Sequence, residues 1–192
     1  MQDDNANGHK PLGMAEKPIL QRTIALVGLM GAGKSSVGRR LAAALGVTFR
    51  DADDEIEKAA RQTVAEIFAD HGEAEFRRGE RRVIARLLEQ PPHILATGGG
   101  AFMDPETRAL MAERATTIWL RADLDTLMRR VSRRDDRPLL KTPNPRATMQ
   151  ALMDARYPVY AEANIVVESR DGPHSSAVDA IIAALKGPLS DH

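Results

Sequence analysis

Residues 23–35 read Thr-Ile-Ala-Leu-Val-Gly-Leu-Met-Gly-Ala-Gly-Lys-Ser. Within them, Gly28 to Ser35 matches G-x-x-x-x-G-K-[ST], the phosphate-binding loop. The glycines let the backbone curl so that successive N–H groups face phosphate oxygens. In this motif the lysine, Lys34, reaches the β- and γ-phosphates, and the hydroxyl of Ser35 ligates Mg²⁺. Thr23–Val27 is a short apolar run, as expected of a buried parallel strand. Beyond the loop, Val37, Leu41, Ala44 and Leu45 recur at helical spacing. The loop therefore joins a strand to a helix N-terminus, where the dipole and unpaired N–H groups favour an anion. An ordinary glycine-rich turn is the competing reading, and the strand and helix on either side weigh against it. The pattern speaks for nucleotide binding and is silent about what is done with the nucleotide.

At 192 residues the chain suits one α/β domain with a sizeable core. Lys+Arg and Asp+Glu both number 27, so no global charge draws it to nucleic acid or a membrane. The absence of cysteine excludes disulfides, thiolate metal sites and a cysteine nucleophile, and it fits a reducing cytoplasm. No stretch approaches the roughly 20 apolar residues of a membrane span. Residues 1–20 are polar, of mixed charge and without an apolar signal-peptide core; they are expected to be a disordered extension. Residues 21–192 are expected to form a single domain.

Strand-like runs alternate with helix-like runs, which points to a parallel sheet covered on both faces. The strand candidates are Thr23–Val27, Val47–Arg50, Ile94–Thr97, Thr117–Leu120 and Asn164–Val167. Thr63 with Glu66 resembles a capping box, and Gly72 is placed to close that helix. Asp104-Pro105 and Asn144-Pro145 each read as an N-cap followed by proline in the first turn. Pro91-Pro92 stops a long charged helix that begins near Glu73. Leu120, Leu124, Leu127, Met128 and Val131 are expected on one helical face. A last helix buries Val178, Ile181, Ile182 and Leu185 and ends at Gly187. These apolar stripes read as core.

Several charged residues fall where an α/β sheet gathers ligands, at the carboxyl ends of strands. Asp51-Ala-Asp53-Asp54 follows the second strand candidate. A carboxylate there holds Mg²⁺ through water, and a second accepts from a substrate hydroxyl. Capping of the helix containing Ile56 by Asp53 or Asp54 is the other reading. Arg77 and Arg78 project about 100° apart, so they cannot share one role. Either is ordinary solvated surface or a planar fork for a carboxylate. Gly98-Gly99-Gly100 is a plain flexible turn or a place where a ligand approaches the backbone. The basic run of residues 129–138 reads as a mobile lid bringing arginine to a phosphate, as a solvated charge run, or as a nucleic-acid patch. Its missing aromatics and interrupting Asp135-Asp136 disfavour the last.

Taken in order, these motifs resemble shikimate kinase over about residues 20–187. They are Gly28–Ser35, Asp51-x-Asp53, Gly72-Glu-x-x-Phe-Arg77, Gly98-Gly-Gly100, Arg137-Pro-Leu-Leu140 and Arg156-x-Pro158-x-Tyr160. The resemblance implies a three-layer α/β/α sandwich on a five-stranded parallel sheet of order 2-3-1-4-5. It also implies phosphorylation of shikimate to shikimate 3-phosphate by ATP, a step toward chorismate and the aromatic amino acids. Gly31, Ala32, Gly33, Lys34, Ser35 and Ser36 would hold the nucleotide, with Arg130 against adenine and Arg137, on a lid of about residues 132–145, on the phosphates. Ser35 and Asp51 would hold Mg²⁺. In a substrate region of about residues 53–80 and beyond, Asp53 would meet shikimate hydroxyls as the candidate base. Arg77, Arg156 and the turn Gly98, Gly99 and Gly100 would take the carboxylate. Lys34, Asp53 and Arg137 would be the catalytic set. Arg170 and Pro173 are candidates for adenine contact within residues 168–175. A cytoplasmic monomer with no nucleic-acid partner is expected. Another small-molecule kinase with this loop, such as a gluconate kinase, a regulatory nucleotide-binding module, and a nucleic-acid binder are the competing functions.

Overall fold

The computed structural model describes residues 20–132, 142–170 and 172–186. Five strands form one sheet: β1 (Thr23–Val27), β2 (Phe49–Asp51), β3 (Ile94–Ala96), β4 (Ala115–Arg121) and β5 (Ile165–Glu168). Every pairing is parallel and the order is β2-β3-β1-β4-β5, as the resemblance implies. The helices are α1 (Lys34–Leu45), α2 (Ala52–Ala60), α3 (Val64–Leu88), α4 (Pro105–Arg114), α5 (Leu124–Val131), α6 (Pro145–Tyr160) and α7 (His174–Lys186). A 3₁₀ turn spans Ala101–Met103. All of β1 is buried, and β4 is buried from Ala115 to Leu120. Covering both faces is why these strands read as continuous apolar runs rather than alternating ones.

The local punctuation is observed. Thr63 Oγ1 accepts from the Glu66 N–H at 3.2 Å, and Glu66 Oε2 accepts from the Thr63 N–H at 2.7 Å. Asp104 and Asn144 cap α4 and α6 through the N–H groups of Thr107 and Ala147. Gly72 breaks α3 with φ 77° and ψ 174°, and the helix resumes at once. The second half of α3 carries Arg77, which lies against Gly100 in the turn after β3.

Four expectations are corrected. Val47 is not in β2, because its N–H turns back to Ala42 O at 3.0 Å behind the left-handed Gly46. Asn164 does not enter β5; its side-chain oxygen accepts from the N–H and hydroxyl of Thr117, bracketing β4. Leu120, read both as a strand end and as part of a helical face, lies in β4 alone, because the strand continues to Arg121 and α5 starts only at Leu124. In α1, Ala44 is exposed and Ala42 takes the buried position. Residues 1–19, Gly187 and residues 133–141 with Arg137 lie outside the described residues, so the expected extension, helix end and lid do as well.

His93 sits buried where β3 begins. Its Nδ1 lies 3.0 Å from Pro91 O and 3.4 Å from Thr23 Oγ1, and Nε2 has no partner among the described residues. Burial pushes its pKa below the ordinary histidine value, and Arg50 adds to this. A depressed folded value gives stability that is present above about pH 6.5 and is lost as pH falls through the folded value. Melting temperatures at about pH 7.5 and about pH 5.5 test this. His93→Asn should show a smaller acid loss than wild type. Parallel losses in the two proteins would clear His93 of that role.

Candidate active site

The strand order reverses at β1, and ligands of open α/β sheets bind at such a switch point, beyond the carboxyl ends of the strands. A cleft of about 380 Å³ opens there, lined by residues that include Gly33, Lys34, Ser35, Ser36, Asp53 and Gly99. Gly31 has φ 81° and Gly33 has φ 93°, a region glycine enters without steric cost. Gly33 caps α1 with no side-chain bond, and a helix N-terminus beside a glycine loop suits an anion. Ala32, within the loop, is buried, and its N–H donates to Leu29 O at 3.2 Å. The Lys34 ammonium donates to Gly28 O at 2.7 Å and Leu29 O at 2.9 Å, which keeps it folded along the loop.

Asp51 does two jobs. Its Oδ2 accepts from the Ser35 hydroxyl at 2.7 Å, and its Oδ1 accepts from the Asp53 N–H at 3.1 Å, capping α2. The capping expected of Asp53 or Asp54 therefore falls to Asp51. Asp54 lies out at the surface, 3.9 Å from Arg39. The Asp53 carboxylate is turned toward the turn after β3: a Cβ on Gly98 would lie 3.1 Å from its Oδ1.

On the nucleotide side, Arg130 clamps the loop to the segment after β5. Its Nη1 donates to Gly31 O at 3.2 Å and Ser169 Oγ at 2.9 Å, and its Nη2 donates to Arg170 O at 2.6 Å. Arg170 thus contributes its carbonyl, while Pro173 is exposed just before α7. His174 was not singled out in the sequence; its only signal is its place in the segment after the last strand. A Cβ on Gly33 would lie 3.4 Å from its Cε1, and burial, with help from Arg130 and Arg40, pushes its pKa down.

On the other side, three helices send side chains to three consecutive glycines. A Cβ on Gly100 would overlap the Arg77 guanidinium, and one on Gly99 would lie 3.4 Å from Arg156 Nη1. Arg77 and Arg156 are 79 positions apart in the chain (156 − 77), yet both flank this turn. Arg78 points away and pairs with Glu75 at 3.2 Å. The N–H groups of Gly99 and Gly100 donate to no acceptor among the described residues. Two guanidinium groups and two N–H donors around one turn suit a flat anion such as a carboxylate.

Glu80 is the residue the sequence reading missed here. It is 2% exposed, and its Oε2 accepts from Arg77 Nη1 at 2.6 Å. Burial pushes its carboxyl up, Arg77 pulls it back, and Asp53 and Asp104 add to the rise. Its position three residues after Arg77 was the available signal. The bond holds Arg77 against the turn.

Gly100 makes that closeness testable. Its φ of −94° and ψ of −15° are open to alanine. Gly100→Ala should therefore fold, but its methyl group must displace the Arg77 guanidinium. The expected result is a melting temperature near wild type with affinity for the carboxylate ligand reduced about 10-fold or more. Unchanged affinity in a folded variant would show that Arg77 does not work from this position.

The shikimate kinase family model matches residues 30–186. The shikimate kinase of Caulobacter vibrioides is 60% identical over 169 residues, covering 88% of this chain and 84% of that protein. The solved shikimate kinase from Acinetobacter baumannii in complex with shikimate superposes with a TM-score of 0.82 at 36% identity, over 85% of this chain and 92% of that one. A gluconokinase from Sinorhizobium meliloti, with a TM-score of 0.60 at 18% identity over 86% of this chain and 92% of its own, shares the fold. With the phosphate loop, the strand order and the arginine-flanked glycine turn in place, these matches show that the chain belongs to the shikimate kinase family.

Proposed function

We propose that this chain transfers the γ-phosphoryl group of ATP to shikimate, yielding ADP and shikimate 3-phosphate, a step of chorismate and aromatic amino acid biosynthesis. The observation that carries the proposal is the meeting of Arg77, Arg156 and the glycine turn one side chain, Asp53, away from the phosphate loop. Shikimate is a small polyhydroxy carboxylate, and this arrangement grips the acid at one end and leaves a carboxylate for a hydroxyl at the other.

The roles follow from position. Gly31, Gly33, Ser35 and Ser36 bind the phosphates through backbone N–H groups, Ala32 holds the curl of the loop through its N–H to Leu29 O at 3.2 Å, and Lys34 neutralises charge that develops on the transferred group. Arg130 braces the nucleotide side of the cleft. The substrate oxygen attacks the γ-phosphorus, the bond to the β–γ bridging oxygen breaks, and Asp53 accepts the hydroxyl proton. Arg77 and Arg156, with the N–H groups of Gly99 and Gly100, fix the substrate carboxylate so that the hydroxyl faces the phosphate.

The Ser35 hydroxyl and Asp51 carboxylate form an oxygen pair beside the loop, which suits Mg²⁺, a cation that takes few protein ligands and keeps its waters. When bound, Mg²⁺ would offset phosphate charge. Ser35 would ligate it directly and Asp51 through water.

Among the described residues, no helix is long and apolar enough to cross a membrane. The cysteine-free composition supports a cytoplasmic setting, and a monomer suffices because every residue named comes from one chain. ADP release coupled to an optical assay, with shikimate, quinate and gluconate offered in turn, tests the proposal. Turnover should be largest with shikimate; equal or greater turnover with gluconate would overturn it.

A further inference from the structure

The fully buried phenol of Tyr160 joins two parts of the carboxylate site that are distant in sequence. Tyr160 ends α6, four residues after Arg156 (160 − 156), so both side chains leave the same helical face. The phenol hydroxyl donates to Gly99 O. The Arg156 guanidinium lies beside this group: it opposes the rise of the phenol pKa, and its Nη1 would stand 3.4 Å from a Cβ on Gly99. The Arg156 guanidinium, the Tyr160 hydroxyl and the Gly99 peptide are thus brought together at one point of the turn.

Packing holds the ring so that its hydroxyl reaches the turn. Its centroid lies 5.9 Å from Trp119, 6.3 Å from Tyr157 and 6.4 Å from Phe102. Burial pushes the phenol pKa up to about 12, with Arg156 opposing, so the hydroxyl keeps its proton and stays a donor near neutral pH. The Gly99 carbonyl shares a planar trans peptide with the Gly100 N–H, so fixing one fixes the other. Glycines have no side chains of their own to set that peptide plane.

We propose that Tyr160 is a positioning residue for substrate recognition: its hydroxyl locks Arg156 and the Gly99–Gly100 peptide into one arrangement, so that guanidinium and N–H donors converge on the same carboxylate. This rests on the carboxylate reading given above. A hydroxyl that merely satisfied a buried polar group would affect stability and leave substrate binding alone.

Tyr160→Phe keeps the ring and deletes the hydroxyl with its bond to Gly99 O. The expected result is a KM for shikimate raised about 3- to 10-fold, with kcat and the KM for ATP within about 2-fold of wild type. The same substitution in an Arg156→Ala background should change the KM for shikimate less than about 2-fold, because the group it positions is gone. Tyr157→Phe removes the neighbouring hydroxyl, which donates to Ala122 O; it should leave the KM for shikimate unmoved. Calorimetric shikimate affinity, read beside the melting temperature, separates a positioning role from a stability role. An unchanged KM in folded Tyr160→Phe, or an equal rise with and without Arg156, overturns the inference while the shikimate reading stands. A wild-type protein that does not turn over shikimate overturns both. Should Tyr160→Phe not fold, Tyr160→Trp keeps an aromatic body without the phenol and must show the same rise in KM for the inference to stand.

Discussion

Lys34→Ala should give a folded protein whose kcat is lower by roughly 10²–10³. Lys34 begins α1, and its ammonium lies along the phosphate loop with bonds to Gly28 O and Leu29 O. Its charge is placed to meet negative charge that develops as the phosphoryl group moves. Stabilisation realised in the transition state lowers kcat when removed, whereas uniform binding mainly alters KM. The core under the loop does not depend on the side chain, so the melting temperature should change little. Steady-state kinetics beside a thermal melt gives the answer. A folded variant with near-wild-type kcat would remove the loop lysine from the mechanism.

The second large effect belongs to the arginine pair. Arg77→Ala or Arg156→Ala should each weaken shikimate binding about 10- to 100-fold, since charge-assisted hydrogen bonds are worth roughly 1.5–3 kcal/mol. Affinity for ATP should barely change, because both guanidinium groups flank the glycine turn and neither donates to a phosphate-loop atom among the described residues. Lysine at either position should restore little: a point charge does not replace a flat fork. Arg77 has a further reason for this. Its fork is already engaged with buried Glu80 on one side and packs against Gly100 on the other. A lysine offers no second nitrogen to hold both. Titration calorimetry with shikimate and, separately, with ADP distinguishes the two ligands. Equal loss toward both would mean general damage to the cleft.

Much of the fold was legible because its signals are local. A buried parallel strand, a glycine loop and a helix follow one another within Thr23–Leu45, and caps at Thr63, Asp104 and Asn144 act within three residues of themselves. The strand order is a long-range property, and it came from the family resemblance rather than from periodicity. Errors arose where two elements meet without a loop. Ala115 leaves α4 directly into β4, so the strand begins two residues before the expected Thr117.

The site was legible in residue type more than in geometry. Asp51, Asp53, Arg77, Arg156 and Gly98–Gly100 stood out as charged or glycine-rich positions at strand ends. That Asp51 caps α2 while bonding Ser35 depends on which way two adjacent peptides face, which the letters do not carry. Glu80 looked like one more acid on a charged helix until the bend at Gly72 turned that face inward. The phenol of Tyr160 acquires its role only when α6 packs against the turn after β3.

The central claim is that two arginines and a glycine turn select this substrate by its carboxylate. Calorimetric affinity for shikimate and for its uncharged methyl ester, in wild type, Arg77→Ala and Arg156→Ala, tests it directly. Wild type should bind the acid at least about 10-fold more tightly than the ester, and each substitution should cost the acid about 10- to 100-fold while costing the ester only a few-fold. Equal losses for acid and ester would contradict the clamp.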